Sequence, residues 1–489
     1  MPQVPGRTFH AAAHAPGLPV PGPPAKLAAR KAGQGLPYRA GQQSMSAVIQ
    51  EHGAAGGRLP LAVGDPARVL VFGGGRELGL GRFLERVQAL ARTLPEARHV
   101  VHLADDRERF LLGFCAAALR GQVALLPPSG APGTVVEILQ AHAADGAYRL
   151  DESTLAALPP HAAGIDAMPE VEAAAVAAIG YTSGSTGRPQ AHAKTWAAFA
   201  AGTAQNLAAL SDLWGARQPW IVATVPPQHM YGMELSVLLP LLGGAAVHAG
   251  RPLLPADVAR ALEEAEGARL LVTTPVHLRA LLLSGVDLPP LAGIVSATAP
   301  LAPELAAEAE ARYRTEVREV FGSTETCVFA RRRTATDPAW TPLPGVCLSP
   351  QPDGTQVQAP HLPVPVVLPD LVELQDDGRF RVCGRHADLL EIAGKRASLG
   401  DLTRRLLAVP GVEDGVILQL EPERAGGVGR VAALVVAPEL SAEDILARLR
   451  GAVDPVFLPR RVRVLPRLPR NATGKLRRDE LLALLDRAP

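Results

Sequence analysis

The chain has 489 residues, of which 47% are apolar and 20% are charged, and its formal net charge is +1. This composition indicates a globular protein of two or three domains, and the near-zero charge argues against nucleic acid or an anionic membrane as a partner. No apolar run reaches the ~18 residues that a membrane span needs. The four cysteines lack the spacing of a zinc site and fit a reducing compartment, so we predict a cytoplasmic protein.

Residues 1–44 differ in composition from the rest of the chain. They are rich in Pro, Gly and Ala, and they contain five basic residues and no acidic one. Such a segment buries little apolar surface, so we expect it to be disordered, or to precede a true start at Met45. An organelle transit peptide is the alternative, which the many prolines disfavour.

From residue 46 onwards, short apolar runs alternate with stretches of helical periodicity. Residues 69–72, 100–103 and 123–126 are predicted buried strands, whereas residues 80–94 and 107–119 carry apolar side chains at helical spacing. This alternation predicts an α/β fold in which helices pack on mixed or parallel sheets.

The most informative stretch is Tyr181-Thr-Ser-Gly-Ser-Thr-Gly-Arg-Pro189, which follows a predicted buried strand at residues 173–179. Glycines let a backbone approach a ligand closely, and hydroxyls and loop N–H groups donate to phosphate oxygens. We therefore predict a phosphate-binding loop rather than a solvated Gly/Ser linker. It differs from the common P-loop, because no Lys follows its second glycine. The predicted nucleotide-binding residues of the loop are Thr182, Ser183, Gly184, Ser185, Thr186 and Gly187.

This loop resembles that of the acyl-adenylating (AMP-binding, ANL) superfamily, which comprises acyl- and aryl-CoA synthetases, adenylation domains and luciferases. The family loop reads roughly Y-T-S-G-S-T-G-x-P-K-G, and the match ends after Pro189. Gln190 and Ala191 then stand where the family has Lys and Gly. Because the family's lysine meets the outer phosphates of ATP, we consider Arg188 or Lys194 as hypothetical substitutes for its charge.

Three further segments resemble family motifs, in the family's order. Val225-Pro-Pro-Gln-His-Met-Tyr-Gly232 resembles the loop that borders the acid pocket. Ser296-Ala-Thr-Ala-Pro-Leu301 resembles the adenine-flanking S-G-G-A-P-L turn, with Ala and Thr in place of the glycine pair. Phe321-Gly-Ser-Thr-Glu325 resembles Y-G-x-T-E.

The resemblance implies a role for each of these segments. Thr324 would touch the α-phosphate of ATP, and Glu325 would hold Mg²⁺. The implied nucleotide-binding residues are Ala299, Pro300, Phe321, which packs on the adenine, and Gly322. The implied acid-binding residues are His229, Tyr231 and Gly232.

Motifs in the last third of the chain complete the resemblance. Asp370 stands where the family's T-G-D aspartate binds the ribose, although Leu and Pro replace the Thr and Gly before it. Arg385, in a Gly-Arg pair, matches the hinge arginine that also reaches the ribose. Leu468-Pro-Arg-Asn-Ala-Thr-Gly-Lys475 resembles L-P-R-T-x-x-G-K, which implies that Lys475 is the catalytic lysine. A surface lysine in a basic tail is the alternative for Lys475.

The resemblance also implies a domain organisation. Residues 45–384 would form the large N-terminal AMP-binding domain, and residues 385–489 would form a small, mobile α+β lid. A hairpin is predicted around the turn at residues 376–378, just before the hinge. In the lid we predict helices at residues 399–407, 442–449 and 478–485, and strands at residues 415–420 and 431–436. Ala387 departs from the acidic or basic residue that family members often have two positions after the hinge arginine.

The implied activity is ATP- and Mg²⁺-dependent conversion of a small carboxylic acid into an acyl-adenylate, followed by transfer to a phosphopantetheine thiol. That thiol belongs either to an acyl carrier protein, which we favour, or to CoA. The window at residues 458–478 holds eight basic residues and no acidic one, which would attract an acidic carrier or the CoA phosphates, unless it is merely a solvated face. A nucleotide-binding pseudo-enzyme is the remaining alternative, supported by Gln190, Ala191 and Ala387.

The nature of the acid is indicated by two short segments. His229-Met-Tyr231 resembles the pocket of ligases for hydroxylated aromatic acids, although either side chain could be a packed wall residue. Together with His192-Ala-Lys194, it resembles ligases of bacterial aryl-polyene pigment clusters, which activate an aryl or acyl starter for a carrier protein.

Overall fold

The structure, a computed structural model, describes residues 57–127, 130–150, 153, 155, 167–183, 189–351, 354–385, 389–392, 395–420, 430–470 and 476–486. The predictions for residues 1–44, the tip of the phosphate loop at residues 184–188, Ala387 and Lys475 lie outside these ranges. Within them, every helix is too short or too polar to cross a bilayer.

The described helices include both helices predicted near the N-terminus and all three predicted near the C-terminus. They are α1 (Leu80–Thr93), α2 (Arg107–Leu119), α3 (Pro132–Ala141), α4 (Trp196–Leu210), α5 (Met230–Met233), α6 (Leu239–Leu242), α7 (Pro255–Glu263), α8 (Pro275–Ser284), α9 (Pro303–Tyr313), α10 (Leu399–Leu407), α11 (Ala442–Leu449) and α12 (Arg478–Asp486). A π-helical segment, Glu234–Leu238, joins α5 to α6.

The described strands alternate with these helices through most of the chain. In the first half they are β1 (Arg58–Pro60), β2 (Val69–Gly73), β3 (Arg76–Gly79), β4 (His99–Val101), β5 (Val123–Leu126), β6 (Ala147–Arg149), β7 (Glu170–Glu172), β8 (Val176–Ser183), β9 (Pro189–Thr195), β10 (Pro219–Ala223), β11 (Ala246–His248) and β12 (Ala268–Thr273). In the second half they are β13 (Gly293–Ser296), β14 (Val317–Ser323), β15 (Cys327–Arg332), β16 (Thr341–Pro342), β17 (Cys347–Gln351), β18 (Gly354–Gln358), β19 (Val366–Leu368), β20 (Asp370–Leu374), β21 (Phe380–Arg385), β22 (Leu389–Ile392), β23 (Lys395–Ser398), β24 (Asp414–Leu420), β25 (Arg430–Val436) and β26 (Arg461–Val464).

A nine-stranded sheet forms the largest layer of the described residues, in the order β16-β15-β14-β13-β12-β10-β11-β2-β3. The strands from β14 to β2 run parallel, and their side chains are almost all buried because helices cover both faces. The carboxyl ends of β10, β13 and β14 therefore meet at one edge. That edge is where open α/β sheets bind ligands, and each of these three strands leads into one of the quoted motifs.

A second sheet carries the phosphate-loop motif, in the order β6-β4-β5-β8-β9. Here the predicted strand at residues 173–179 is wrong in its bounds, because β8 begins at Val176 and continues to Ser183. Thr182 and Ser183 are thus strand residues, since β9 returns antiparallel and extends the ladder to the pair Ser183–Pro189. β4 is shorter than predicted and ends at Val101, before His102 turns toward the carbonyl of Arg109 (3.0 Å).

The described residues from Asp370 onwards follow their predicted pattern closely. The β20–β21 hairpin, the helices α10, α11 and α12, and the strands β24 and β25 are confirmed to within a residue or two. β24, β25 and β26 form a sheet on which α10 buries Leu402 and Leu406 against Ile417. Together with the two larger sheets, this arrangement confirms the α/β class with a smaller α+β unit at the C-terminal end. The boundary at residue 384 stays a prediction.

Candidate active site

One face of the β8–β9 hairpin organises the site. Residues directly opposite one another in an antiparallel pair share a face, and every second residue of a strand returns to it. Thr182 pairs with Gln190 and Gly180 pairs with His192, so Gln190, His192 and Lys194 of β9 lie on the same face as Thr182 and Gly180.

Gly180 is the point at which three motifs converge. A methyl group at position 180 would lie 2.7 Å from Cγ2 of Thr324 and 3.2 Å from Cε of Met230, so the bare backbone makes room for both side chains. The strand that enters the phosphate loop therefore touches both the Phe321–Glu325 motif and the loop that carries His229. Sequence analysis did not single out Gly180, although a glycine inside a strand often marks such a close approach.

The turn at residues 322–328, which includes the adjoining ends of β14 and β15, presents Thr324 and Glu325. Ser323 and Thr326 close it with reciprocal bonds, since each backbone N–H donates to the other's hydroxyl at 3.1 and 3.2 Å. Gly322 lies in a bulge of the β14–β15 ladder, directly against the carbonyl of Cys327. Glycine is therefore needed at this position for close packing.

Replacing Gly322 with alanine is expected to lower the free energy of unfolding by about 2 kcal/mol, because the added methyl overlaps backbone and the turn has to open. Chemical denaturation measures this change. Gly202→Ala is the matched control, since a methyl there meets no atom within 4 Å and favours helix α4. Equal stability of Gly322→Ala and the wild type would contradict the tight turn.

Glu325 extends its carboxylate toward the hairpin face. Nε2 of His192 lies 3.4 Å from Oε1 of Glu325 and 3.1 Å from Oγ1 of Thr182. Burial lowers the pKa of His192, which favours its neutral form near neutral pH even though Glu325 acts in the opposite direction. Three side chains from two motifs thus surround one partly exposed polar position, where 28% of the glutamate side chain is accessible.

The donor set at this position suits Mg²⁺. The carboxylate of Glu325 is a hard oxygen ligand, and Mg²⁺ in proteins is usually held by one or two carboxylates together with substrate phosphates. In the described part of the chain, no group of three or more His, Cys, Asp or Glu side chains forms a cage. Glu325, with Thr324 next to it, is the residue that would hold the ion.

Lys194 does not replace the missing loop lysine. Its side chain is almost fully buried, and its Nζ donates to the backbone carbonyl of Glu325 at 2.6 Å. It also lies four residues along β9 from Gln190, roughly 13 Å at the usual rise of an extended strand. The hypothesis that Lys194 supplies the charge at the outer phosphates is therefore wrong, and Arg188 lies outside the described residues.

The predicted adenine site lies on an aromatic cluster. The ring of Phe321 is half-buried, and its centroid lies 5.0 Å from those of Phe329 and Trp340 and 6.3 Å from that of Phe380. These contacts fix the ring that the resemblance assigns to the adenine.

The turn that carries Ala299 and Pro300 follows β13. Thr298, which replaces a glycine of the family, adopts a φ of 82°, a left-handed conformation that costs a β-branched residue on the order of 1 kcal/mol. The backbone N–H of Leu301 donates to Oε1 of Glu319 at 3.2 Å, and the buried Glu319 pairs with Arg332. Sequence analysis missed Glu319, although a charged residue two positions before the Phe321–Glu325 motif could have drawn attention to it.

The two predicted ribose residues lie opposite one another. Asp370 and Arg385 are register partners in the β20–β21 hairpin, and Asp370 is buried. The side chains of Arg385 and Ser183 lie outside the description, as do Gly184, Ser185, Thr186, Gly187 and Lys475.

The predicted acid-binding residues have different placements. His229 is half-buried and immediately precedes α5. Tyr231 is buried, and its hydroxyl proton is shared between the carbonyls of Val295 (2.9 Å) and Thr273 (3.2 Å), which favours the packed wall residue over an acid contact. Gly232 packs directly against the carbonyl of Pro226. Its lack of a side chain therefore allows the loop to fold back on itself, which explains the glycine without an acid contact.

A buried arginine holds this loop in place, and sequence analysis missed it. Arg107, at the start of α2, is completely buried and donates to the carbonyls of Ala223 (2.8 Å), Gly250 (2.8 Å) and Val225. Burial lowers its pKa to about 9, which still leaves the guanidinium charged at neutral pH. The helical pattern around Arg107 gave no sign that its side chain would cross to the end of β10.

A model of the family described as "AMP-binding enzyme" matches residues 90–359, which is more than half of the chain. The chain belongs to this family. A 4-coumarate–CoA ligase of Rhodobacter capsulatus is 32% identical over 307 residues, covering 61% of this chain and 74% of that relative. A 4-coumarate–CoA ligase of Halorhodospira halophila is 29% identical over 317 residues, covering 60% and 73%.

Solved structures show the same fold. ATP-bound MatB from Rhodopseudomonas palustris superimposes with a TM-score of 0.70 at 19% sequence identity, covering 87% of this chain and 97% of that one. This AMP-binding enzyme is accordingly an AMP-forming acid–thiol ligase that uses ATP and a small carboxylic acid.

Proposed function

We propose that this AMP-binding enzyme activates an aryl or acyl carboxylic acid as its adenylate and transfers the acyl group to the phosphopantetheine thiol of an acyl carrier protein. The observation that carries the proposal is the convergence of Thr182, Thr324 and Glu325 beside Gly180. Phosphate, metal and acid motifs that are far apart in the sequence meet there at the carboxyl ends of parallel strands.

In the first half-reaction, a carboxylate oxygen forms a bond to the α-phosphorus of ATP. The bond from that phosphorus to the oxygen bridging to the β-phosphate breaks, and pyrophosphate leaves. The two reactants are both anions, so their repulsion opposes the approach, and cations or donors aimed at the developing charge lower the barrier. Lys475 is proposed to neutralise the carboxylate and phosphate oxygens, with Thr324 as a donor to the α-phosphate.

The remaining nucleotide contacts are proposed from the same arrangement. Residues 182–187 would hold the β- and γ-phosphates, Phe321 would pack on the adenine, and Asp370 and Arg385 would bind the ribose hydroxyls. Mg²⁺, when bound at Glu325, offsets negative charge on the phosphate oxygens.

In the second half-reaction, the thiol sulfur bonds to the acyl carbon, AMP leaves with the former carboxylate oxygen, and the thiol proton passes to solvent. Residues 385–489 would rotate about Arg385 to admit the phosphopantetheine arm.

The basic face near the C-terminus supports a carrier protein as acceptor. Of the eight basic residues at positions 458–478, Arg460 and Arg467 are exposed on either side of β26. Exposed arginines without a carboxylate between them in the chain attract an acidic partner.

The second candidate acceptor is CoA, which the similarity to the 4-coumarate–CoA ligases favours. Incubation of the enzyme with ATP, Mg²⁺ and an acid, together with either CoA or a phosphopantetheinylated carrier protein, separates the two when the products are weighed by mass spectrometry. We expect acylated carrier, and acyl-CoA alone would overturn the choice of acceptor.

For the acid, we propose a hydroxylated aromatic compound of the kind that aryl-polyene ligases activate. His229 lies half-buried just before α5, and an imidazole is a group that bonds to ring hydroxyls. Two relatives are ligases of an aromatic acid, 4-coumarate.

Restoring the family's loop lysine tests the phosphate loop. Gln190 is exposed and lies opposite Thr182, where β9 leaves the loop. Gln190→Lys is expected to lower the KM for ATP by about tenfold, since a cation would join the outer phosphates, while the KM for the acid stays unchanged. Steady-state kinetics measures both values. An unchanged KM for ATP would show that the phosphates do not pass this end of the hairpin.

A nucleotide-binding pseudo-enzyme is the alternative from another class, because Gln190 and Ala191 depart from the family loop. The match to the AMP-binding enzyme family and the similarity to two 4-coumarate–CoA ligases argue against it.

A further inference from the structure

A buried polar cluster lies behind the turn that carries Glu325, and the proposed mechanism has not used it. Lys194 projects into it from the same face of β9 as His192, because the two residues are separated by one position. His192 contacts the carboxylate of Glu325, while Lys194 contacts the carbonyl of the same residue. One strand therefore holds Glu325 at both its side chain and its backbone.

The other anchors of the turn come from different elements. Nε2 of His361 lies 2.7 Å from the carbonyl oxygen of Thr326. The backbone N–H of Val328 donates to both carboxylate oxygens of Glu234, at 3.0 and 3.2 Å. Residues 325, 326 and 328 are thus each held by a side chain from outside the turn.

Glu234 is the acidic side chain of this cluster. It is buried in the π-helical segment, and Nδ2 of Asn206 donates to its Oε1 at 3.2 Å. Burial raises the pKa of Glu234 to about 7, against the opposing effects of its hydrogen bonds and of Lys194. A cation nearby favours the ionised form of a buried carboxyl group, so removing Lys194 would favour the protonated form of Glu234.

We propose that Lys194 is a positioning residue that sets the backbone of Glu325, and through it the carboxylate that would hold Mg²⁺. The geometry that supports this is the 2.6 Å bond to the carbonyl of Glu325, made by a side chain of the hairpin that also carries the phosphate loop. The proposal rests on the proposed role of Glu325. It assigns Lys194 a function in coupling the phosphate-loop hairpin to the metal turn.

Lys194→Met tests the proposal, because methionine fills a similar volume but has neither charge nor donor. Calorimetric titration with ATP, in the presence and absence of Mg²⁺, and with AMP alone gives a readout that does not need turnover. We expect the gain in ATP affinity on adding Mg²⁺ to fall about tenfold, while the affinity for AMP is unchanged. The adenylation kcat should fall by a similar or larger factor.

A double variant separates positioning from simple charge balance. Lys194→Met alone is expected to lower the melting temperature. If it does not fold, the double variant Lys194→Met/Glu234→Gln takes its place in every titration. The double variant should regain part of that stability, because an amide at position 234 gains nothing from a cation nearby, yet keep the weakened response to Mg²⁺. Full recovery of that response in the double variant would overturn the proposal.

Arg318→Met is the matched control for loss of a buried cation. Arg318 is also buried on the nine-stranded sheet, but it pairs with Asp212 and Glu316 away from the turn. Arg318→Met should lower stability and leave the Mg²⁺-dependent gain in ATP affinity unchanged. If this gain fell as much in Arg318→Met as in Lys194→Met, the positioning role of Lys194 would be overturned. If wild-type enzyme shows no Mg²⁺-dependent gain in ATP affinity, the role of Glu325 itself fails, which is a different result.

Discussion

Lys475→Ala is expected to lower the rate of carboxylate-dependent ATP–pyrophosphate exchange by about 100-fold or more. The reaction brings a carboxylate to the α-phosphate, and the loss of a cation that meets the charge of the transition state typically costs a few kcal/mol. The affinity for ATP should change little, because adenine, ribose and outer-phosphate contacts are assigned to other residues. Exchange of labelled pyrophosphate at saturating substrates measures the rate, and calorimetry measures the affinity.

Arg450→Ala is the control for this variant, since Arg450 is an exposed cation of the same C-terminal unit. It should retain wild-type exchange. If Lys475→Ala also retained wild-type exchange, the assignment of Lys475 as the catalytic lysine would be wrong. Lys475 would then be a surface lysine of a basic tail.

Glu325→Gln is expected to lower the same exchange rate by about 100-fold at low Mg²⁺ and to raise the concentration of Mg²⁺ that gives half-maximal rate. The amide keeps the shape of the side chain, and its place between His192 and the turn, but it lacks the negative charge that a divalent cation needs. A Mg²⁺ titration of the exchange rate measures both effects, and thermal denaturation shows whether the turn is intact.

Glu264→Gln is the matched control for the glutamate, because Oε2 of Glu264 also lies near a histidine, 3.7 Å from Nε2 of His248, but at the other end of the large sheet. It should leave the Mg²⁺ titration unchanged. Coincident titration curves for Glu325→Gln and the wild type would remove Glu325 from the metal site.

Local sequence patterns predicted most of the fold, because burial and periodicity act over short distances. Helices α2 and α11 have the predicted bounds, and the hairpin at residues 376–378 forms as its turn residues indicate. The convergence of the motifs also follows from the parallel strands, since motifs at the ends of β10, β13 and β14 meet at one edge.

The groups that support the site were not predictable in the same way. In the sequence, nothing distinguishes Lys194, Glu234 and Arg107 from other polar residues of strands and helices. Each of these side chains bonds to a backbone group that is more than ninety positions away in the chain. Their burial depends on how the strands pair and on where the turn at residues 322–328 packs. Tyr231 shows the converse, since a motif residue assigned to the acid has its hydroxyl bound within the core.

The most direct test of the whole account is carboxylate-dependent ATP–pyrophosphate exchange by the wild-type enzyme, over a panel of hydroxybenzoic, cinnamic and fatty acids. We predict exchange with at least one acid, strongest among the hydroxylated aromatic compounds and dependent on Mg²⁺. Absence of exchange with every acid, in protein shown to be folded and to bind ATP, would contradict adenylate formation and favour a protein that only binds nucleotide.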